Sequence, residues 1–521
     1  MNKLEQKRLE LQAQLDSAKN ARERNKLGQF ATPTALADDV LQYARSLLPT
    51  ETPIRFLDPA VGTGSFYSAL TRAIPAERIA RATGIEIDPH YALPSRKLWA
   101  DSPLEIRIED FTQIEADPTY NLLICNPPYV RHHHMQADYK ARLQLRTELA
   151  SGSKIGGLAG LYCYFMGLSQ AWLAPDAISG WLIPSEFMDV NYGRALKRYL
   201  LERVTLLHIH RFDPNEAQFD DALVSSAVVW FRNALPSSDH SVRFTFGGTL
   251  SNPAIERDVS TKALTQEAKW TRFPVATTRA KSNVPTISDF FKIKRGLATG
   301  DNGYFILNRE TVESRNLPRQ FLRPILPSPR YIVDDIISAD DDGLPLIERQ
   351  LFLLDPRLPE DEIKENYSSL WTYLQEGRER GLNERYLCSH RKLWYSQEDR
   401  PPPPIVCTYM GRGDAKNGRP FRFILNESQA TIANVYLAMY PTPVLEASIR
   451  RDPTLLRQVW EALNRITPEQ LLGEGRVYGG GLNKLEPKEL ANVPAGEIAA
   501  LLPDFVQAPK QTDMFAVSDA A

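Results

Sequence analysis

The sequence predicts an α/β protein in two parts, a domain on a mostly parallel sheet followed by a second domain of different texture. From about residue 50 to 235, apolar runs alternate with helical patterns, the rhythm of strands joined by crossover helices. Several runs are apolar at consecutive rather than alternate positions, as strands covered on both faces must be. After Phe231 the rhythm stops at RNALPSSDHS; downstream lie scattered strand patterns, more proline and no βα alternation. At 521 residues, 43% hydrophobic and 24% charged, the chain is also too long for one core.

The first 24 residues read as a charged helix with Leu4, Leu11 and Leu15 on one side and its other faces in water. They mix acids with bases and lack an apolar h-region, so no secretion signal is expected. GQFATP (Gly28 to Pro33) then leads into the helix PTALADDVLQYARSLL, for which Thr32 is the expected cap, with Pro33 in the first turn. Strands are expected at Ile54–Leu57, Ala82–Ile87, Leu104–Ile108 and Asn121–Cys125. Three more follow at Ala177–Ile183, Val204–Ile209 and Leu223–Phe231. Between the fourth and fifth, GLYCYFMGLSQAWLA repeats its aromatics and leucines at helical spacing and reads as core, ended by Pro175.

Composition excludes several classes. The formal net charge of -2 carries no global nucleic-acid signal, although a local basic face is compatible with it. Cys125, Cys163, Cys388 and Cys407 lack metal-ligand spacing and fit reduced thiols in a cytoplasmic protein. No apolar run approaches the roughly 20 residues of a membrane helix, so no membrane partner is expected. RPPPP (Arg400 to Pro404) reads as a stiff loop before a strand.

Chemistry gathers at four successive strand ends. In FLDPAVGTGSF, Asp58 ends the first strand and Gly62 and Gly64 make a tight turn into a helix beginning near Ser65, where backbone approaches a ligand closely. Tyr67 occupies the place of the third glycine in the dinucleotide pattern, which disfavours a nicotinamide site. A carboxylate aimed into such a turn suits a cation, such as an amino acid's ammonium, and repels a pyrophosphate. Glu86, at the second strand's tip, is placed to accept both hydrogen bonds from a ribose diol. After the third strand Asp110 is a candidate acceptor for an adenine amino group, with Phe111 beside the ring. The fourth strand breaks into Asn126-Pro127-Pro128-Tyr129. Two prolines donate no backbone N–H and fix their own φ, so ladder pairing ends and the carbonyls there are held rigidly outward.

These four motifs, in this order, resemble those of the S-adenosylmethionine-dependent amino-methyltransferases of DNA: D-P-x-x-G-x-G-x-F, an acid after the second strand, D-F, then N-P-P-Y. GQFATP looks like that family's motif ahead of the first strand. Cofactor motifs first and a long C-terminal region afterwards resemble the gamma class, the adenine-specific methylases of restriction-modification systems. The motifs cover about residues 25 to 235. The resemblance implies a Rossmann-like, seven-stranded mixed sheet over residues 25–240, after a separate helix over 1–24. A separate mixed α+β DNA target-recognition domain is then expected over 241–521.

It further implies S-adenosylmethionine held by Thr32, Asp58, Ala60, Gly62, Gly64, Glu86, Ile87, Asp110, Phe111 and Asn126, and methyl transfer to N6 of an adenine flipped from double-stranded DNA. Adenine N6 is a poor nucleophile because its lone pair is delocalised into the ring. If Asn126 Oδ1 and the Pro127 carbonyl each accept one N6 hydrogen, the lone pair turns toward the methyl donor, and positioning with electrostatics carries the in-line transfer. Tyr129 is expected to stack on the extruded base, with Phe219 closing its other face. Arg131, Lys294 and Arg295 are expected beside the DNA, in surfaces that interleave basic and aromatic residues. The protein is expected to be a monomer, with a restriction endonuclease acting separately.

Rival readings share parts of this pattern. Cytosine-N4 methylases share the chemistry but usually show Ser-Pro-Pro-Tyr, and protein-glutamine methylases share NPPY but lack GQFATP and so long a C-terminal region. A catalytically silent DNA-binding subunit would not need Asp58, Glu86, Asp110 and Asn126 together. Cys125 precedes Asn126 inside an apolar strand, unlike the Pro-Cys loop of cytosine-C5 methylases, and reads as a buried structural thiol. Side chains of His132, His133 and His134 diverge from consecutive positions and no ligand follows at zinc spacing, so no metal is expected.

Overall fold

The structure, a computed structural model, describes residues 3–20, 23–24, 27–213, 225–274, 284–412, 419–478, 482–503 and 505. The chain divides into two units, Met1–Lys281 with Tyr478–Gly481, and Ser282–Val477 with Leu482–Ala521.

The first unit is built on strands β1 (Ile54–Asp58), β2 (Ile79–Ile85), β3 (Leu104–Arg107), β4 (Tyr120–Cys125), β5 (Leu173–Pro184), β6 (Thr205–Arg211), β7 (Ser226–Arg232), β8 (Ser241–Gly248) and β9 (Pro253–Ser260). They form one sheet in the order β3-β2-β1-β4-β5-β7-β6-β8-β9. Strands β1 to β5 run parallel to one another. Strand β7 is antiparallel to both β5 and β6. The order in which successive strands are added reverses between β1 and β4, and open α/β sheets bind ligands at such switch points.

The seven expected strands are all present, but the described sheet has nine. The extra pair is the hairpin β8–β9, which the sequence reading gave to the recognition domain; the division falls after residue 281 rather than 240. RNALPSSDHS is a surface connection within the unit. Beyond it Val242 and Phe244 alternate into the core, and β8 adds to the free edge of β6 in parallel.

Helices cover both faces. They include α1 (Lys3–Ser17), α2 (Thr34–Leu47), α3 (Ser65–Ala73), α4 (Pro89–Leu98), α5 (Ala137–Ser151), α6 (Leu161–Ser169) and α7 (Gly193–Glu202). In β4, Leu122 and Ile124 pack with α2 and α3 on one face, while Leu123 and Cys125 pack with α6 and α7 on the other. The unbroken apolar run is thus explained by burial on two sides. Helix α1 departs from the solvated expectation: Leu15 is buried, and so are Glu5 and Arg8.

In the second unit, among the described residues, a five-stranded sheet orders Phe291–Arg295, Tyr436–Pro441, Ile405–Thr408, Phe423–Asn426 and Ile336–Ile337. Helices Leu455–Arg465, Pro468–Glu474 and Pro487–Ala491 pack against it. A three-stranded sheet of Ile306–Asn308, Leu351–Leu354 and Leu322–Ile325 carries a separate core. Among the described residues no helix is long and apolar enough to cross a membrane.

Candidate active site

Because β1 to β4 are parallel, Asp58, Glu86, Asp110 and Asn126 all leave the sheet at its carboxyl edge. Asp58 ends β1 with 1% of its surface exposed, and its Oδ1 accepts from the Ala60 N–H at 3.1 Å. The chain then turns through Gly62 (φ +53°) and Gly64 (φ +89°), both left-handed, into α3. A side chain on Gly64 would strike the Trp99 ring, whereas the space above Gly62 is open. From behind, α4 fixes the turn: Ser95 Oγ donates to the Gly62 carbonyl at 2.8 Å and Trp99 Nε1 to the Thr63 carbonyl at 2.9 Å.

Glu86 follows β2 and closes the turn from the other side. Its Oε2 accepts from the Gly62 N–H at 3.1 Å and its Oε1 from the Asp88 N–H at 2.9 Å. Burial pushes the Asp58 carboxyl up to about 8; the Ala60 N–H opposes the rise and the charge of Glu86 adds to it. Glu86 is raised too, by burial against the opposing bonds of Asp88 and Gly62. Two acids crowded beside an open glycine turn make a site that favours a cation and hydroxyl donors. Asp110 caps the turn after β3, its Oδ1 accepting from the Thr112 N–H at 2.9 Å and its Oδ2 from Gln113 Nε2 at 2.7 Å.

Asn126 is oriented by GQFATP. Its Nδ2 donates to the Phe30 carbonyl at 3.0 Å and to Thr32 Oγ1 at 3.1 Å. A carbonyl only accepts, so the atom facing Phe30 must be the amide nitrogen, which turns Oδ1 the other way. That oxygen is buried and has no hydrogen-bond partner. Leaving such an acceptor unpaired costs on the order of 1–3 kcal/mol, so the arrangement calls for a donor from outside the chain. Thr32 is therefore not the helix cap the sequence suggested: Pro33 stands at that position without a side-chain bond, and α2 begins at Thr34.

Tyr129 donates its hydroxyl to the Leu182 carbonyl at 3.1 Å, which joins the loop after β4 to β5. Burial raises its phenol above the ordinary range. Its ring lies 5.6 Å from that of Phe30 at 45°. The backbone of GQFATP runs against it, the Tyr129 N–H donating to the Gly28 carbonyl at 3.2 Å. Only glycine fits at residue 28: φ is +67°, and a Cβ there would sit 2.2 Å from the Tyr129 nitrogen.

Residues 93–219 match the family described as Eco57I restriction-modification methylase, and residues 264–516 match the type II methyltransferase M.Eco57I C-terminal domain. Two separate regions of the chain thus match models built on Eco57I-type restriction-modification methylases. It is 28% identical to the type II methyltransferase M.XamI of Xanthomonas campestris pv. amaranthicola, over 89% of this chain and 84% of that protein. It is 27% identical to the type II methyltransferase M.AccI of Acinetobacter calcoaceticus, over 90% of this chain and 85% of that protein. The fold is shared with the type IIL restriction-modification enzyme MmeI, solved in complex with DNA, at TM-score 0.53 and 14% identity. That match covers 84% of this chain, which spans only 66% of the MmeI chain.

The remaining expected residues are placed as follows. Ile87 is 62% exposed beside Glu86. Phe111 is instead turned into the core, its ring 5.0 Å from Phe165 and 5.5 Å from Trp172. Arg131 is exposed and precedes a 3-10 turn over His132–His134. Lys294 and Arg295 lie in the second unit on the edge strand Phe291–Arg295, where the Arg295 guanidinium covers the Tyr409 ring at 4.2 Å. Phe219 lies outside the described residues. Cys125 is fully buried between the sheet and its helices, and burial holds its thiol well above the ordinary range, far from a thiolate nucleophile.

Sequence reasoning missed Phe30, whose backbone carbonyl does the orienting, and the pair Glu5–Arg8. Acid–base pairs three residues apart are ordinary on solvated helices, so nothing distinguished that pair in advance.

Proposed function

We propose that this enzyme transfers a methyl group from S-adenosylmethionine to N6 of an adenine extruded from double-stranded DNA. The observation that carries the reading is the unpartnered, buried Oδ1 of Asn126, held in place by Phe30 and Thr32. The residues at the sheet edge fit the cofactor. Asp58 suits its ammonium, Glu86 its ribose diol, and the open face of Gly62 allows close backbone approach. When bound, S-adenosylmethionine supplies an electrophilic methyl group. Asn126 Oδ1 and the Pro127 carbonyl accept the two N6 hydrogens, which turns the nitrogen lone pair out of conjugation and fixes the line of attack. One N6 proton is then lost to solvent. Tyr129 and, from outside the described residues, Phe219 would enclose the extruded base.

The second unit serves as the target-recognition domain, with Lys294 and Arg295 among its phosphate contacts and Arg131 contributing from the loop after β4. Methylation by a monomer in the cytoplasm would protect host DNA from a separate endonuclease.

Nucleoside mass spectrometry tests the reading after the purified chain is incubated with DNA and S-adenosylmethionine. N6-methyladenine is expected. N4-methylcytosine would establish the cytosine alternative, and no methylated nucleoside from a folded, cofactor-binding protein would overturn the assignment.

A further inference from the structure

Helix α1 is charged along its length, yet Glu5 and Arg8 are each only 1% exposed. An ion pair is buried at a loss unless hydrogen bonds satisfy its remaining atoms, and here they come from the cofactor turn. Arg8 meets Glu5 through Nε at 2.9 Å and Nη2 at 2.6 Å. Its Nη1 donates to Ser65 Oγ at 2.9 Å and Thr63 Oγ1 at 3.2 Å, the hydroxyls on either side of Gly64. Glu5 in turn accepts from Ser68 on α3 and Thr34 on α2. One turn along, Gln12 Oε1 accepts from Thr63 Oγ1 at 2.6 Å.

The far end of the helix grips the second rim. Tyr91 donates to Asp16 at 2.9 Å, His90 Nε2 contacts the Leu15 carbonyl at 3.0 Å, and Lys19 ion-pairs with Asp88. Asp88 is the residue whose N–H is held by Glu86. One helix thus ties the glycine turn to the tip of β2, the two backbone segments that Glu86 joins.

We infer that α1 is a strap for the cofactor site, with Arg8, Glu5 and Gln12 acting as positioning residues that hold the Thr63–Gly64–Ser65 turn in its ligand-binding shape. This rests on the reading of that turn as the S-adenosylmethionine site. By linkage, whatever affinity the docked helix lends the cofactor, the cofactor lends to helix docking.

Calorimetric titration of the full chain with S-adenosylmethionine tests the inference. Replacing both charges together, Glu5→Leu with Arg8→Met, avoids leaving one buried ion unpaired. This variant is expected to keep its melting temperature within a few degrees yet bind about ten-fold more weakly, the scale of one or two lost hydrogen bonds. Gln12→Leu removes the Thr63 contact together with the bond that Gln12 Nε2 donates to Asp16 at 2.9 Å. It is expected to bind a few-fold more weakly with a raised KM for the cofactor and unchanged kcat, while Gln12→Glu, which loses the same Asp16 bond but keeps the acceptor for Thr63, binds more tightly than Gln12→Leu. Should the double variant fail to fold, the Gln12 pair decides alone. Parental affinity in the double variant, or in Gln12→Leu where the double variant is unfolded, would overturn the strap while leaving the cofactor reading intact. A folded parent that binds no S-adenosylmethionine would overturn that reading, and the strap with it.

Discussion

The amide nitrogen of Asn126 sits 3.1 Å from the hydroxyl of Thr32, a contact spanning 94 residues of chain. It fixes which way the amide points, and with the Phe30 carbonyl it leaves Oδ1 as the only atom of that group free for a substrate. Thr32→Val removes one of the two acceptors and lets the amide swing. A neutral hydrogen bond is worth about 1 kcal/mol, so single-turnover methylation at saturating cofactor is expected to slow by roughly five- to ten-fold. Thr32→Ser keeps the hydroxyl and should restore most of the rate. Equal rates in the parent and in Thr32→Val would contradict the orienting role.

Gly28→Ala forces a side chain into a left-handed residue and against the Tyr129 backbone 2.2 Å away. The cost is on the order of 1–3 kcal/mol, with displacement of the loop after β4. Urea unfolding should show a lower midpoint at an unchanged slope. A midpoint equal to the parent's would mean that the loop and GQFATP are not in fixed contact.

Much of this was legible in the sequence because strand-end chemistry is local. Asp58, Glu86, Asp110 and Asn126 each follow an apolar run, and parallel strands bring their ends to one edge. What escaped was non-local or mediated by backbone. The carbonyl of Phe30 leaves no trace in residue type, and the burial of Arg8 depends on Ser65 and Thr63 lying beneath α1. The hairpin β8–β9 groups with the first unit without a signal in the sequence, because a polar, proline-containing connection looks the same within a domain as between two. Thr32 was read as a cap because Thr before Pro at a helix start usually is one; here the hydroxyl is engaged by Asn126.

The raised carboxyl of Asp58 predicts a pH dependence. Its folded value, about 8, lies above the ordinary 3.8, so the folded state keeps this proton while the unfolded chain has lost it. Stability of the protein without cofactor should therefore fall as pH rises from about 4, with the full penalty reached above about 8. Melting temperatures across that window should decline more steeply for the parent than for Asp58→Asn, which cannot ionise. Parallel curves would show that the carboxyl ionises without penalty.

Lys294 lies exposed on the edge strand of the second unit. As a phosphate contact it adds affinity without sequence preference, so Lys294→Ala should weaken binding about equally on cognate and unrelated duplexes. It should also reduce the slope of log affinity against log salt by about one. Fluorescence anisotropy at several salt concentrations measures both, and an unchanged slope would remove Lys294 from the DNA face.

The most direct measurement compares DNA from cells expressing the parent chain with DNA from cells expressing Asn126→Ala, sequenced by a method that reports methylated bases in context. N6-methyladenine is predicted at one recurrent sequence for the parent and at none for the variant, whose affinity for S-adenosylmethionine stays within a few-fold. N6-methyladenine persisting in Asn126→Ala, or modification only on cytosine in the parent, would contradict the account.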